Sequence, residues 1–261
     1  MGEVTALEAH LRAARDGGRK VLVPYVTGGL GDDWTEVVRA FADAGADAIE
    51  VGIPFSDPVM DGPTIQEASE AALAQGTTLP AILTALRDVD AGVPLVAMTY
   101  VNLVFHAGYQ RFAAEAVAAQ LAGIILPDLP MEEVGEWLPH GDAVGLATVQ
   151  LASPLTPDAR LAELCELSQG FVYGVNLLGV TGERSELAST SSVLAKRLKA
   201  VTDLPVVMGF GIATPEHAVA ASEHADGVVV ASALMRARLD GATPEQLGER
   251  VAELRAALDR G

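Results

Sequence analysis

Cationic side chains are scarce in this chain: 17 Lys and Arg stand against 35 Asp and Glu, a formal charge of −18 over 261 residues. A field of that sign repels phosphate backbones and anionic lipid, so nucleic acid and membrane surfaces are poor partners. An anionic small molecule would need a local site of its own. Lysine is the rarer cation, with Lys20 at the start of the first apolar run and Lys196 and Lys199 inside a helical stretch, so no Schiff-base lysine reaches a strand end. Cysteine is rarer still. The single thiol, Cys165, falls in the helical pattern Leu161, Leu164, Cys165, Leu167, which excludes a disulfide within the chain and favours a buried structural thiol over a nucleophile. The five histidines have no paired spacing suited to a metal, so neither metal nor cofactor is expected. No apolar run reaches the length of a membrane span. The opening Met1-Gly-Glu-Val-Thr5 lacks the basic-then-apolar order of a secretion signal, and a cytoplasmic location is expected.

What the chain does have is alternation. Eight short apolar runs, at residues 21–26, 48–52, 94–100, 123–128, 146–152, 171–176, 205–211 and 227–232, are separated by helix-period stretches such as 34–44, 107–119, 157–167 and 191–201. With half of all residues hydrophobic, this predicts an α/β fold, a (β/α)8 TIM barrel forming a single domain over residues 1–261. An extra N-terminal helix near residues 5–14 would cover the barrel floor. Further helices are predicted at 64–74, at 78–90 with Thr78 as N-cap, and at 244–258.

Barrels of this kind work at the carboxyl ends of their strands. Those ends offer Tyr25 and Thr27, Glu50, Tyr100 and Asn102, Asp128, Gln150, Tyr173, the turn Gly209-Phe210-Gly211, and Ser232. The run IEVGIPFSDPVMDGP, residues 49–63, is the most informative. Glu50 ends an apolar strand there, and a carboxyl kept from water has its charged form disfavoured, which suits proton transfer near neutrality. A strand-end acid can equally cap the following helix, and Asp57 and Asp61 sit in turn-forming groups, Ser56-Asp57-Pro58 and Asp61-Gly62-Pro63. The seventh and eighth strand exits are small and glycine-rich, with Thr214 as a helix N-cap, so their backbone N–H groups can converge on a phosphate ester. Residues 178–184 are polar and glycine-hinged, as a closing lid would be.

Six motifs together carry a family resemblance over nearly the whole chain: PYVTGG (24–29), IEVGIPFSDPVMDGP (49–63), TYVNLVF (99–105), GIILPDLPMEE (123–133), GVTGE (179–183) and GFGIATPE (209–216). The set resembles the tryptophan synthase α subunit. The resemblance implies a cofactor-independent lyase that cleaves indole-3-glycerol phosphate into indole and glyceraldehyde 3-phosphate. It also implies a pyridoxal-phosphate-dependent β subunit as partner, in an α2β2 heterotetramer. By this match Glu50 is similar to the family's general acid/base, Asp61 would steady the charge on the indole nitrogen, and Tyr173 stands beside the catalytic glutamate. Thr181 corresponds to the lid threonine, and Gly182, Gly211 and Ser232 to phosphate-holding positions. Tyr25, Tyr100, Phe210 and Ala231 are further candidate substrate contacts, with Asp57, Pro58 and Asn102 facing the β chain. A stand-alone indole-releasing lyase and a non-catalytic barrel that activates a β partner remain as alternatives. The chain departs from the family pattern at Ala231-Ser232, where Gly-Ser is usual, in the first loop Gly28-Gly29-Leu30-Gly31-Asp32, and at Asn176-Leu177-Leu178.

Overall fold

The computed structural model describes residues 4–175, 184–209 and 211–261. Its strands are β1 (Val21–Thr27), β2 (Ile49–Gly52), β3 (Leu95–Met98), β4 (Leu121–Ile125), β5 (Ala147–Ala152), β6 (Val172–Val175), β7 (Val206–Gly209) and β8 (Gly227–Val230). Each pairs in parallel with the next, and β8 returns to β1 through Val21↔Gly227 and its neighbours, so the predicted barrel is closed. Several runs read as strand end early. Tyr100, Asp128 and Ser232 lie just past their strands, where the chain turns out into the loops and helices of the mouth.

Side chains alternate between two cores because successive strand residues point to opposite faces. Val21, Val23, Ala48, Val96, Ile125, Ala147, Val149, Phe171, Val207 and Val229 form one buried cluster inside the barrel. Their neighbours Leu22, Ile49, Leu95, Ala97, Ile124 and Val228 face the surrounding helices. The N-terminal helix Ala6–Asp16 is capped by Thr5, whose Oγ1 accepts from the Glu8 amide at 3.2 Å. Its Leu7 and Leu11 join the interior cluster, so this helix closes the floor as expected. A charged clamp reinforces that end. The Asp47 carboxylate accepts from the Leu22 amide at 2.8 Å and pairs with Arg19 at 2.9 Å and with Arg255 of the last helix at 3.2 Å.

Most outer helices fall where the periodicity puts them, including Trp34–Asp43, Pro63–Ala74, Leu79–Leu86 behind its cap Thr78, Asp158–Leu167 and Pro244–Leu258. The helix predicted at 107–119 is Tyr109–Ala118, and an unpredicted helix, Val101–Ala107, precedes it, the two meeting at Gly108 with φ 85°. The short Val134–Glu136 and Leu138–Asp142 turns had no readable period. Among the described residues no helix is long and apolar enough to cross a membrane.

Leu7 is fully buried where one helix seals eight strands, so Leu7→Ala leaves a void under the barrel. Its cost is about 2–5 kcal/mol, read as a lower midpoint in urea unfolding with an unchanged slope.

Candidate active site

Strand alternation fixes the central residue. Ala48 faces the barrel interior and Ile49 the helices, so Glu50 faces inward again, one layer nearer the mouth. Its side chain is 1 % exposed, and its Oε2 has no hydrogen-bond partner among the described residues. Burial first and the nearby Asp61 second push its pKa up to about 8. Glu50 therefore holds its proton at neutral pH. Three residues earlier, Asp47 is almost as buried but has two arginines and a backbone amide to receive its charge. Burial raises the pKa of both acids, but at Asp47 the Leu22 amide and the two arginines oppose the rise, and at Glu50 no such group is found among the described residues.

Asp61 reaches the same space from the loop between β2 and helix Pro63–Ala74. Burial raises its pKa, a hydrogen bond donated by Tyr100 lowers it, and burial prevails at about 6. Tyr100 also anchors the loop, since its hydroxyl accepts from the Met60 amide at 2.9 Å and its ring stacks on Phe55 with centroids 5.0 Å apart. At pH 7 the site thus holds one protonated and one largely ionised carboxyl. Environments that push two acids apart in this way assign them different roles.

Two buried tyrosines complete the mouth. Burial raises the hydroxyl pKa of Tyr25 and of Tyr173 well above the ordinary phenol value, and the charges of Glu50 and Asp61 add to it, so both remain proton-bearing donors. Each lies over a glycine. A Cβ on Gly52 would stand 1.8 Å from the Tyr25 hydroxyl oxygen, and one on Gly209 would stand 2.5 Å from the Tyr173 ring. No other residue fits beneath those rings.

On the rim after β7 and β8, Gly211 and Ser232 are exposed and Ala231 is half-buried. Helix Pro215–Ser222 is capped by Thr214, which accepts from the His217 amide at 3.3 Å. Helix Ser232–Leu239 opens at Ala231 without any side-chain cap, leaving its first amides available to an anion. Asp57 and Asn102 are exposed and Pro58 half-buried on the rim after β2 and β3. Thr181, Gly182, Phe210 and nearly all of the predicted lid lie outside the described residues.

Two strand-end candidates do not join this group. Gln150 follows the inward-facing Val149 and so points outward, where it lines a cleft of about 320 Å³ with Leu126, Met131, Leu155 and Leu164. Asp128 caps the helix after β3, accepting from the Val101 amide at 2.8 Å. Conversely Phe55 and Thr27 belong to the site. Phe55 was visible only as part of the long motif, whereas Thr27 already stood among the strand-end residues.

A closed parallel barrel with a dry, protonated carboxyl beside a second acid at its mouth defines a barrel enzyme of the acid–base kind. The family profile described as "Tryptophan synthase alpha chain" matches residues 11–259, and the chain belongs to that family. It is accordingly a carbon–carbon lyase of tryptophan biosynthesis. The tryptophan synthase alpha chain of Streptomyces coelicolor is 41% identical, with 100% of this chain and 97% of that one covered. That of Xanthomonas axonopodis pv. citri is 44% identical, covering 100% of each. The crystal structure of Mycobacterium tuberculosis tryptophan synthase superposes with a TM-score of 0.91 at 37% identity, over 99% of this chain and 100% of that one.

The elevated Glu50 pKa has a measurable consequence for stability. Between about 4.5, the ordinary value, and about 8 the unfolded chain has released this proton while the folded chain keeps it. The Glu50 contribution to stability is therefore full below the lower value and lost as pH rises through the upper one. Replacing Glu50→Gln removes that loss. Urea unfolding should show the variant gaining on the parent by a few kcal/mol from pH 4.5 to pH 8.5.

Proposed function

We propose that this chain cleaves indole-3-glycerol phosphate into indole and glyceraldehyde 3-phosphate, with Glu50 as general acid and base and Asp61 as the electrostatic partner of the indole nitrogen. The observation that carries the reading is the buried Glu50 carboxyl, whose Oε2 has no partner among the described residues, with a pKa near 8 beside Asp61 near 6. A carbon–carbon bond at indole C3 breaks readily only once that carbon is protonated. Glu50 delivers its proton to C3, the ring nitrogen takes up positive charge, and the ionised Asp61 stabilises it. The bond to the glycerol chain then breaks with its electron pair returning to the ring. The adjacent hydroxyl becomes the aldehyde carbonyl, and its proton passes to the Glu50 carboxylate, restoring the acid. Tyr173, held over Gly209, borders the ring and keeps water away.

The phosphate sits on the exposed backbone of Gly211 and Ser232 and on the uncapped start of helix Ser232–Leu239, a local anion trap in an acidic protein. Gly182, Thr181 and Phe210 complete that end by family resemblance. The partner is a pyridoxal-phosphate-dependent β subunit in an α2β2 assembly, with Asp57, Pro58 and Asn102 in the contact. Support comes from the apolar side chains exposed on the same rim, Val59 at 73% and Phe105 at 67%. The chain acts as one barrel domain in the cytoplasm, where its phosphorylated substrate is retained.

Supplying indole-3-glycerol phosphate to the purified chain and following indole release, with and without a β subunit, tests the reading. Glu50→Gln should lower kcat at least about 100-fold while substrate binding by calorimetry persists; normal turnover would overturn the assignment. The parent kcat/KM should rise as Asp61 ionises near pH 6 and fall as Glu50 loses its proton near pH 8. Asp61→Asn should abolish the acidic limb, and a flat profile from pH 5 to 9 would count against both roles.

A further inference from the structure

We propose that Tyr25 is a positioning residue for the reaction, donating a hydrogen bond to the Glu50 carboxylate once that group has released its proton. The inference rests on the role of Glu50 given above and adds a partner for its ionised state. A buried carboxyl that gives up a proton becomes a buried anion, which is costly unless a donor is at hand. Oε2 of Glu50 has no such donor in the resting arrangement.

Three features single out Tyr25. It is the direct register partner of Glu50 across the β1–β2 ladder. Its hydroxyl leans over β2 itself, lying 1.8 Å from where a Cβ of Gly52 would be, and Gly52 is the next inward-facing position after Glu50. Tyr173, by contrast, leans over β7 at Gly209. Finally, the Tyr25 hydroxyl oxygen accepts from Thr27 Oγ1 at 3.4 Å, which leaves its own hydrogen free to be given elsewhere. Among the described residues the titratable groups around Glu50 are Tyr25 from β1, Tyr173 from β6 and Asp61 from the loop, with Tyr100 behind Asp61. No arginine, lysine or histidine is among them, so a neutral donor is what the mouth can offer.

The step involves no transfer of the tyrosine proton. Glu50 gives its proton to the substrate carbon, the Tyr25 O–H turns toward the new carboxylate, and it turns back when Glu50 recovers a proton from the substrate hydroxyl. Thr27 strengthens the donor by bonding its oxygen.

The test measures kcat and kcat/KM for indole-3-glycerol phosphate cleavage from pH 6 to 10 in the parent, Tyr25→Phe, Thr27→Val and Glu50→Gln. Removing the hydroxyl destabilises the Glu50 anion, so Tyr25→Phe should move the alkaline limb upward by about one pH unit and lower kcat roughly tenfold. KM should change less than about twofold. Thr27→Val leaves the ring in place and should move the limb in the same direction by less, which keeps the proposal testable if the phenylalanine variant folds poorly. An inactive Glu50→Gln with an unmoved limb and unchanged kcat in both other variants overturns the role of Tyr25. An active Glu50→Gln overturns the underlying reading instead.

Discussion

The Glu50 carboxyl is kept from water by tyrosine rings and strand backbone, and its neutrality at physiological pH follows from that exclusion. Among the described residues no cation offsets the loss of hydration. In the proposed reaction the proton comes from an acid whose charged form is unwelcome. Asp61 is held in a wetter position on a loop and receives a hydrogen bond from Tyr100. The difference in hydration between two carboxyls, more than their identity, divides the labour in the proposed reaction.

The two ends of the barrel handle buried charge in opposite ways. At the floor, Asp47 is surrounded by Arg19, Arg255 and the Leu22 amide, and the cluster ties the last helix to the first two strands. At the mouth, Glu50 has none of these. The clamp adds specificity to the closure of the barrel, whereas the mouth gives up stability that the floor and the packed interior supply. Function is thus concentrated where the stabilising interactions are weakest, a division that barrels of this type share.

The architecture was legible because eight apolar runs alternate with helix-period stretches, and the caps Thr78 and Thr214 sit at the helix starts their sequence predicts. The separate helix Val101–Ala107 was not, because seven residues are too few to show a helical period and only the positive φ of Gly108 sets it apart from the helix that follows. In the site, the acid pair could be read from one motif, since a carboxyl at the end of an apolar strand is already an anomaly. Strand parity was the missing step for the rest. It turns Gln150 away from the mouth and brings Thr27 into the same file as Tyr25, although both appeared simply as strand-end residues. The anchoring of Asp61 by Tyr100 and Phe55 depends on contacts across the sheet that no linear pattern encodes.

The glycines beneath the two mouth tyrosines also constrain how this sequence can drift. Any side chain at position 52 collides with the Tyr25 hydroxyl, and any at 209 with the Tyr173 ring. Neither glycine can be lost while its tyrosine remains, whereas a smaller residue at 25 or 173 would open the space in which a substituent at 52 or 209 becomes tolerable. Across descendants of this chain the members of each pair should therefore be exchanged together, leaving in the genealogy a correlated signature of a steric fit spanning neighbouring strands.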